Sequence, residues 1–230
     1  MYYKMQSLLY RKDELSASQL FKELKYLIDS LPEWKEKGNS WLIAHPSKKV
    51  VAFNKSNVTD AALAYVDSLI NCGDAISIFL ADENEDDSII TVLYKNTPAV
   101  SSERYVLSIT MKSLSNYKNV NDFINIFDQL TMYKGWDFKY ILLDTEQYRF
   151  NQREVFDDRL PVGWMLYLPI KIKHEDVPSA YNVFHTTNDS GSVIISKIVF
   201  NGKDPSDIAC ANNVEIELAA NGLLPLIRKM

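Results

Sequence analysis

Glycine is scarce in this sequence, with 7 among 230 residues. The dinucleotide fingerprint GxGxxG and the phosphate loop GxxxxGK followed by Ser or Thr are both absent. Each of these motifs needs its glycines for a tight turn and a close approach of backbone to phosphate. The nucleophile elbow GxSxG of hydrolases is absent as well. The sequence therefore excludes these sites, and we expect no cofactor.

Residues that bind metals or form disulfides are also few, namely two cysteines and three histidines. Cys72 and Cys210 lie far apart in the sequence. None of His45, His174 and His185 is spaced from another histidine or a cysteine as zinc ligands are. Two thiols without a pairing pattern are typical of a reduced intracellular protein. We therefore predict buried, reduced thiols and no metal site.

No apolar run is long enough to cross a bilayer as a helix, which takes about 20 residues. The opening segment MYYKMQSLLYRKDEL has neither a continuous apolar core nor a small-residue cleavage site, so no signal peptide is expected. The sequence predicts a cytoplasmic protein without a membrane partner.

An excess of positive charge is missing too, since the formal net charge is −5. A nucleic-acid-binding protein needs a basic face that replaces the counterions of the phosphates. The sequence has no cluster of Lys and Arg with interleaved aromatic residues, so we expect no nucleic-acid partner. An acidic protein suits a basic partner, because opposite charges speed association.

Apolar residues are plentiful, at 47% of the chain, and several follow a helical period. In SASQLFKELKYLIDSLP, leucines recur at helical spacing after Ser16, which with Gln19 fits a capping box. A second helix is predicted to begin at Thr59 or Asp60 and to end at Gly73. Further helices are predicted to begin near Val120 and at Asp204–Pro205.

Strand patterns occupy much of the remaining chain. The runs AISIFLA, SIITVLY and RYVLSITM are joined by short polar segments, which predicts an antiparallel meander. Residues 33–53 are predicted to be irregular. The expected fold class is α+β, an antiparallel β-sheet with a central meander packed with several helices. We expect one domain over residues 1–230, or two lobes that share one core. Further strands are predicted within residues 2–10, 138–143, 163–168 and 192–200.

The segment DENEDD concentrates acidic side chains in a predicted hairpin loop. Such a loop is commonly a solvated surface, but its field can also dock a basic partner and speed the encounter. A second acidic pair precedes the segment PVGWMLYLP. The predicted partner-binding residues are Asp82, Glu83, Glu85, Asp86, Asp87, Asp157 and Asp158.

Two alternatives involve catalysis. Asp144 and Glu146 follow a predicted strand, and with Asp157 or Asp158 they would serve a metal-dependent hydrolase if all converged in one cleft. The pattern Glu23-Leu24-Lys25 matches the ExK motif of restriction-type nucleases. It lies in the amphipathic helix, so we predict a solvated helix face there instead.

The segment PVGWMLYLP combines a glycine, a tryptophan and a short apolar run. Gly163 is expected to allow a bulge or a close approach of the backbone at the start of a strand. Alternation would place Trp164 on one face with Leu166 and Leu168. We predict that Trp164 anchors the core rather than contacting a partner.

Several segments resemble the immunity protein 52 family. VGWMLYLP is similar to its GW-x-x-Y-L segment, and the helix that leads to LPEW resembles its first helix and following tryptophan. GWDFKYILL resembles the family's stretch before the GW motif. IELAANGLLPL resembles its C-terminal helix and Gly-Leu-Leu turn. The resemblance spans nearly the whole chain.

The resemblance implies a non-enzymatic immunity protein, made beside a secreted bacterial toxin, that binds the toxin domain and blocks its active site. It also implies that the toxin is a nuclease of restriction-endonuclease-like type, delivered by contact-dependent secretion such as type VI secretion. A nuclease surface is basic because it holds phosphates, so an acidic inhibitor can mimic them. The hydrolase and a secretion-system adaptor that binds without catalysis remain alternatives.

Overall fold

In the computed structural model, eleven strands of the described residues form one open antiparallel sheet. The structure describes residues 2–31, 40–44, 50–55, 57–82, 90–97, 101–112, 119–146, 148–149 and 151–229. The strands are β1 Tyr2–Arg11, β2 Trp41–Ile43, β3 Val50–Asn54, β4 Asn57–Val58, β5 Ser77–Asp82, β6 Ile90–Thr97, β7 Ser101–Lys112, β8 Trp136–Thr145, β9 Met165–Leu168, β10 Asn182–His185 and β11 Ser192–Ile195. Their order across the sheet is β10-β11-β9-β8-β1-β7-β6-β5-β2-β3-β4.

The predicted meander is confirmed, because β5 pairs with β6 and β6 pairs with β7, both antiparallel. The opening strand β1 lies between β7 and β8 and pairs with both. The prediction of an irregular segment over residues 33–53 is wrong where that segment is described, since it contains β2 and most of β3. These runs are too short to show an alternating pattern, and their pairing with β5 and with each other defines them.

Four helices begin and end largely where the sequence predicts. They are α1 Ala17–Asp29, α2 Asp60–Cys72, α3 Val120–Met132 and α4 Pro205–Ala220. The Ser16 side chain accepts a hydrogen bond from the backbone N of Gln19 at 3.2 Å, and Thr59 caps α2 in the same way. Gly73 ends α2 in the left-handed region with φ 70°. The mixed α+β class follows from these elements.

The core lies on both faces of the sheet. On one face, which we call the inner face, α1, α2 and α3 bury their apolar residues against the strands. On the opposite, outer face, a second apolar cluster joins β8, β9 and β11 to α4 through Leu142, Leu166, Ile194 and Val214. Helix α4 therefore covers the outer face at the β9–β11 end of the sheet.

Gly163 and Trp164 behave as a structural pair. Gly163 has φ 55°, and a Cβ there would lie 3.2 Å from the carbonyl oxygen of Leu143, so the expected close approach of backbones is confirmed. Trp164 is 1% exposed, as predicted for a core residue. The prediction that it shares a face with Leu166 is wrong, because Trp164 precedes β9 and packs on the inner face against Tyr3.

The two cysteines are free thiols. The prediction that both are buried is wrong, because Cys72 is exposed at the end of α2 and Cys210 is partly exposed on α4. Among the helices that the structure describes, none has the length and apolar character needed to cross a membrane.

Candidate functional site

Asp82 is the first acid of the DENEDD segment and the last residue of β5. Its Oδ1 accepts a hydrogen bond from the backbone N of Ile90 at 3.2 Å, which ties the end of β5 to the start of β6. The other acids of this predicted partner-binding loop lie outside the described residues. They are Glu83, Glu85, Asp86 and Asp87.

Asp157 and Asp158, the second predicted partner-binding pair, are both exposed. The carbonyl oxygen of Asp158 accepts a hydrogen bond from the backbone N of Ile227 at 2.9 Å, so the C-terminal segment fixes this turn. Four strand spacings, or ~19 Å, separate β5 from β8, the strand that precedes the pair. β5 and β8 run in the same direction, so both acidic segments follow strands that end at the same edge of the sheet.

The four carboxylates of the hydrolase alternative have different surroundings. Asp144 is buried on β8 at 2% exposure, whereas Asp157 and Asp158 are exposed. Glu146 accepts a hydrogen bond from the backbone N of Tyr2 and forms an ion pair with Lys203. These contacts lower the pKa of Glu146, the hydrogen bond with Lys203 most of all. No group of three or more potential metal ligands occurs in the part of the chain that the structure describes.

A group of buried polar side chains links the end of β8 to α4. Glu215 Oε1 accepts hydrogen bonds from the hydroxyl of Tyr148 and the backbone N of Val162, each at 3.0 Å. Its Oε2 accepts from the backbone N of Val155 at 2.8 Å. Burial raises the pKa of Glu215 despite these bonds. The network fastens the segment after β8 to the helix.

Asp144 lies beside this network, and its carboxylate has fewer hydrogen-bond partners than that of Glu215. The Oδ1 of Asp144 has no hydrogen-bond partner among the described residues. Burial raises the pKa of Asp144 to about 6, against the opposing influence of the backbone N–H of Arg149 and of the charges of Lys4 and Arg149. Glu154 faces the same site and also has an unpartnered buried oxygen, Oε2.

A cavity of about 600 Å³ opens above Asp144 on the outer face. Besides the tyrosines of β1, its lining includes Lys4, Gln6, Thr110 and Arg149. Lys4 lies directly opposite Asp144 in the pairing of β1 with β8. Apart from Asp144, the polar side chains that line this cavity are hydrogen-bond donors or can donate.

A second buried carboxylate, Glu23, lies on α1 and is 0% exposed. Its two oxygens accept hydrogen bonds from the guanidinium of Arg11 at 2.7 and 2.9 Å and from the hydroxyl of Tyr94 at 2.7 Å. Burial opposes the charge of Arg11, but its bond to Glu23 raises the pKa above the ordinary value. The prediction of a solvated helix face at Glu23 is wrong.

Sequence reasoning missed Glu215 and Arg149 as members of the site. Glu215 lies four residues after the buried Ala211 and three before the buried Leu218, so its position on the core side of α4 was visible in the spacing. Arg149 and Lys4 gave no comparable signal, because only the pairing of β1 with β8 brings Lys4 opposite Asp144.

The fold is similar to that of a solved structure. The Pseudomonas aeruginosa T6SS protein PA0821 aligns with a TM-score of 0.56 and 12% sequence identity, over 95% of this chain and 76% of that chain. At this identity the similarity shows a shared fold. No protein-family model matches the chain, and no curated protein matches it in sequence. Membership of the immunity protein 52 family therefore stays a prediction.

Proposed function

We propose that this chain is an immunity protein that binds a cognate secreted toxin and blocks the toxin's active site. The observation that carries the proposal is the fold shared with a type VI secretion protein over 95% of this chain. The sequence resemblance to the immunity protein 52 family implies that a protein with this fold neutralises a toxin. Binding without catalysis needs a surface rather than a reactive constellation.

The acidic edge of the sheet is the proposed contact for a basic, nuclease-like toxin domain. Asp82 ends β5, and β8, the strand that precedes Asp157 and Asp158 in the sequence, ends at the same edge. Carboxylates there can occupy the cationic positions that a nuclease uses for phosphates. Such contacts act mainly on the association rate and weaken as salt screens them.

Co-expression with the toxin encoded beside this gene tests the proposal. Cells that carry the toxin alone are expected to die, and cells that carry both proteins are expected to grow, with the two proteins co-purifying. A toxin whose active site is inactivated should still co-purify, because occlusion does not require catalysis. Death of the co-expressing cells, without co-purification, would rule the immunity role out.

Substitution of the acids in residues 82–87 by Ser or Gln tests the contact itself. The association rate with the toxin domain should fall and lose most of its salt dependence. Asp67→Asn, which removes one exposed acid on α2, is the control for a carboxylate outside this loop and should leave both unchanged. Unaltered kinetics in the loop variant would remove this edge from the interface.

The same structural similarity also favours a secretion-system adaptor. An adaptor would co-purify with components of the secretion apparatus and would leave the toxin lethal in the co-expression experiment. The two functions therefore predict opposite growth outcomes in one assay.

A further inference from the structure

Part of the outer face is left uncovered by the described helices. The cluster formed by α4 ends at β8, through Leu142 and Tyr140. Beyond it, the outward side chains whose burial the structure describes on β1, β7, β6 and β5 are exposed or partly exposed, apart from Leu8. We call this surface the open face. It consists of the side chains at positions 2, 4 and 6 of β1, the odd positions 77–81 of β5, the odd positions 91–95 of β6, and the even positions 104–112 of β7. Phe79, on β5 at one side of this face, is 39% exposed.

The open face carries charge of one sign. Lys4, Lys95, Arg104 and Lys112 belong to it, and none of its residues is acidic. The chain as a whole has five more acids than bases, as its net charge of −5 records. Solvation of a sheet face needs no particular sign, so the segregation of cations onto these four strands points to an anionic partner.

Apolar side chains lie between these cations. Phe79 is paired with Leu93, and Val106 is paired with Lys95. The surface lacks the row of aromatic side chains on which the bases of single-stranded nucleic acids stack. A mixture of apolar and basic groups fits a polypeptide that presents both apolar and acidic side chains.

The cavity above Asp144 adjoins the open face at β1. Neither Lys4 nor Arg149 forms an ion pair or a side-chain hydrogen bond with a described residue, although both lie close enough to influence Asp144. Asp144 is 2% exposed, and its Oδ1 is unpartnered within the described chain. Asp144 and Glu154 attract the two cations to the cavity without forming an ion pair with either one. The ammonium of Lys4 and the guanidinium of Arg149 therefore keep hydrogen-bond donors for a ligand.

We propose that the open face docks an acidic segment of a partner protein, and that the cavity binds one carboxylate of that segment between Lys4 and Arg149. This surface differs from the acidic edge, which is proposed to meet a basic toxin domain. The inference is therefore independent of the proposed function, and a partner that engages both surfaces would carry regions of both signs.

Binding of a fluorescein-labelled deca-glutamate peptide, followed by anisotropy at low ionic strength, tests this inference. The double variant Lys4→Glu/Arg149→Glu should bind at least about tenfold more weakly, because it reverses both charges at the cavity. Lys22→Glu/Lys173→Glu makes the same change in net charge at exposed positions on α1 and near residue 174. This control should change the affinity less than about twofold.

Backbone amide shifts of the unaltered protein locate the peptide without any substitution. Shifts are expected in β1, β5, β6 and β7 and not in α1. Asp157→Asn/Asp158→Asn should leave peptide binding no weaker, which separates this surface from the acidic edge. The proposal would be overturned if the peptide does not bind, or if both double variants lose the same affinity. It would also be overturned if the shifts lie outside these strands, or if a decathymidine oligonucleotide binds more tightly than the peptide.

Discussion

Glu23 and Asp144 are both carboxylates buried within this fold, at 0% and 2% exposure. Glu23 accepts hydrogen bonds on both oxygens, from Arg11, Tyr94, Trp136 and Gln19. Asp144 lies on β8 with its side chain on the outer face, and one of its oxygens is unpartnered among the described residues. The difference indicates that the first acid holds the fold together and that the second is available to a ligand or a proton.

The surroundings of each acid explain the difference. Glu23 projects from α1 into the space between the helix and the inner face, where the guanidinium of Arg11 from β1 meets it with bidentate geometry. Asp144 projects to the outer face, where it lines the cavity and is 2% exposed. A buried polar atom left without a partner costs about 1–3 kcal/mol, so its retention calls for a functional explanation.

The largest expected effect follows removal of the Glu23 charge. Glu23→Gln should lower the free energy of unfolding by about 3–5 kcal/mol, because it leaves the Arg11 guanidinium buried and uncompensated. Urea unfolding measures the change. Asp29→Asn, which removes an exposed ion pair with Lys25, should cost no more than about 0.5 kcal/mol. A similar small change for Glu23→Gln would refute the structural role.

Trp164→Ala tests how firmly the inner face, on which Glu23 also lies, is packed near the start of β9. The ring lies 5.0 Å from that of Phe123, and its Nε1 donates to the carbonyl oxygen of Lys197 at 2.8 Å. Loss of this side chain should cost about 3–5 kcal/mol in unfolding free energy. A cost below about 1 kcal/mol would mean that this ring does not anchor the core of the inner face.

The pH dependence of stability is the next largest effect. The pKa of Asp144 is raised from the ordinary 3.8 to about 6, so the folded state binds its proton more tightly than the unfolded state. Its contribution to stability is therefore present below pH 4 and is lost as pH rises from about 4 to about 6. At 1.36 kcal/mol per pKa unit, the loss is on the order of 3 kcal/mol.

Asp144→Asn should remove that dependence. At pH 7.5 the variant should be more stable than the unaltered protein by up to about 3 kcal/mol, and at pH 4 the two should be close. Thermal or urea unfolding across this pH range makes the measurement. Equal stability differences at both pH values would show that the folded state does not hold the proton on Asp144.

The smallest effect concerns the exposed acids. Asp157→Asn/Asp158→Asn should change the free energy of unfolding by less than about 0.5 kcal/mol, because both side chains are solvated. The same variant should slow association with the toxin domain. A large loss of stability would mean that Asp157 and Asp158, like Glu23, stabilise the fold.

Local signals in the sequence predicted much of the fold but little of the buried polar chemistry. Ser16 and Gly73 fix helix ends through contacts within a few residues, so their roles are visible in the pattern. Glu23 looked solvated because its partner Arg11 lies on another element, and only the packing of α1 on β1 brings the two together. Likewise, burial raises the pKa of Asp144, and the burial of a single strand residue cannot be predicted from the sequence alone.

Titration of the toxin's activity with this protein tests the central claim most directly. The toxin domain that the proposed function expects beside the gene is held at constant concentration, and its activity is followed as the protein is added. Occlusion predicts that activity falls in proportion and is lost at a one-to-one ratio, less sharply as salt increases. Full toxin activity in the presence of excess protein would contradict the proposed function.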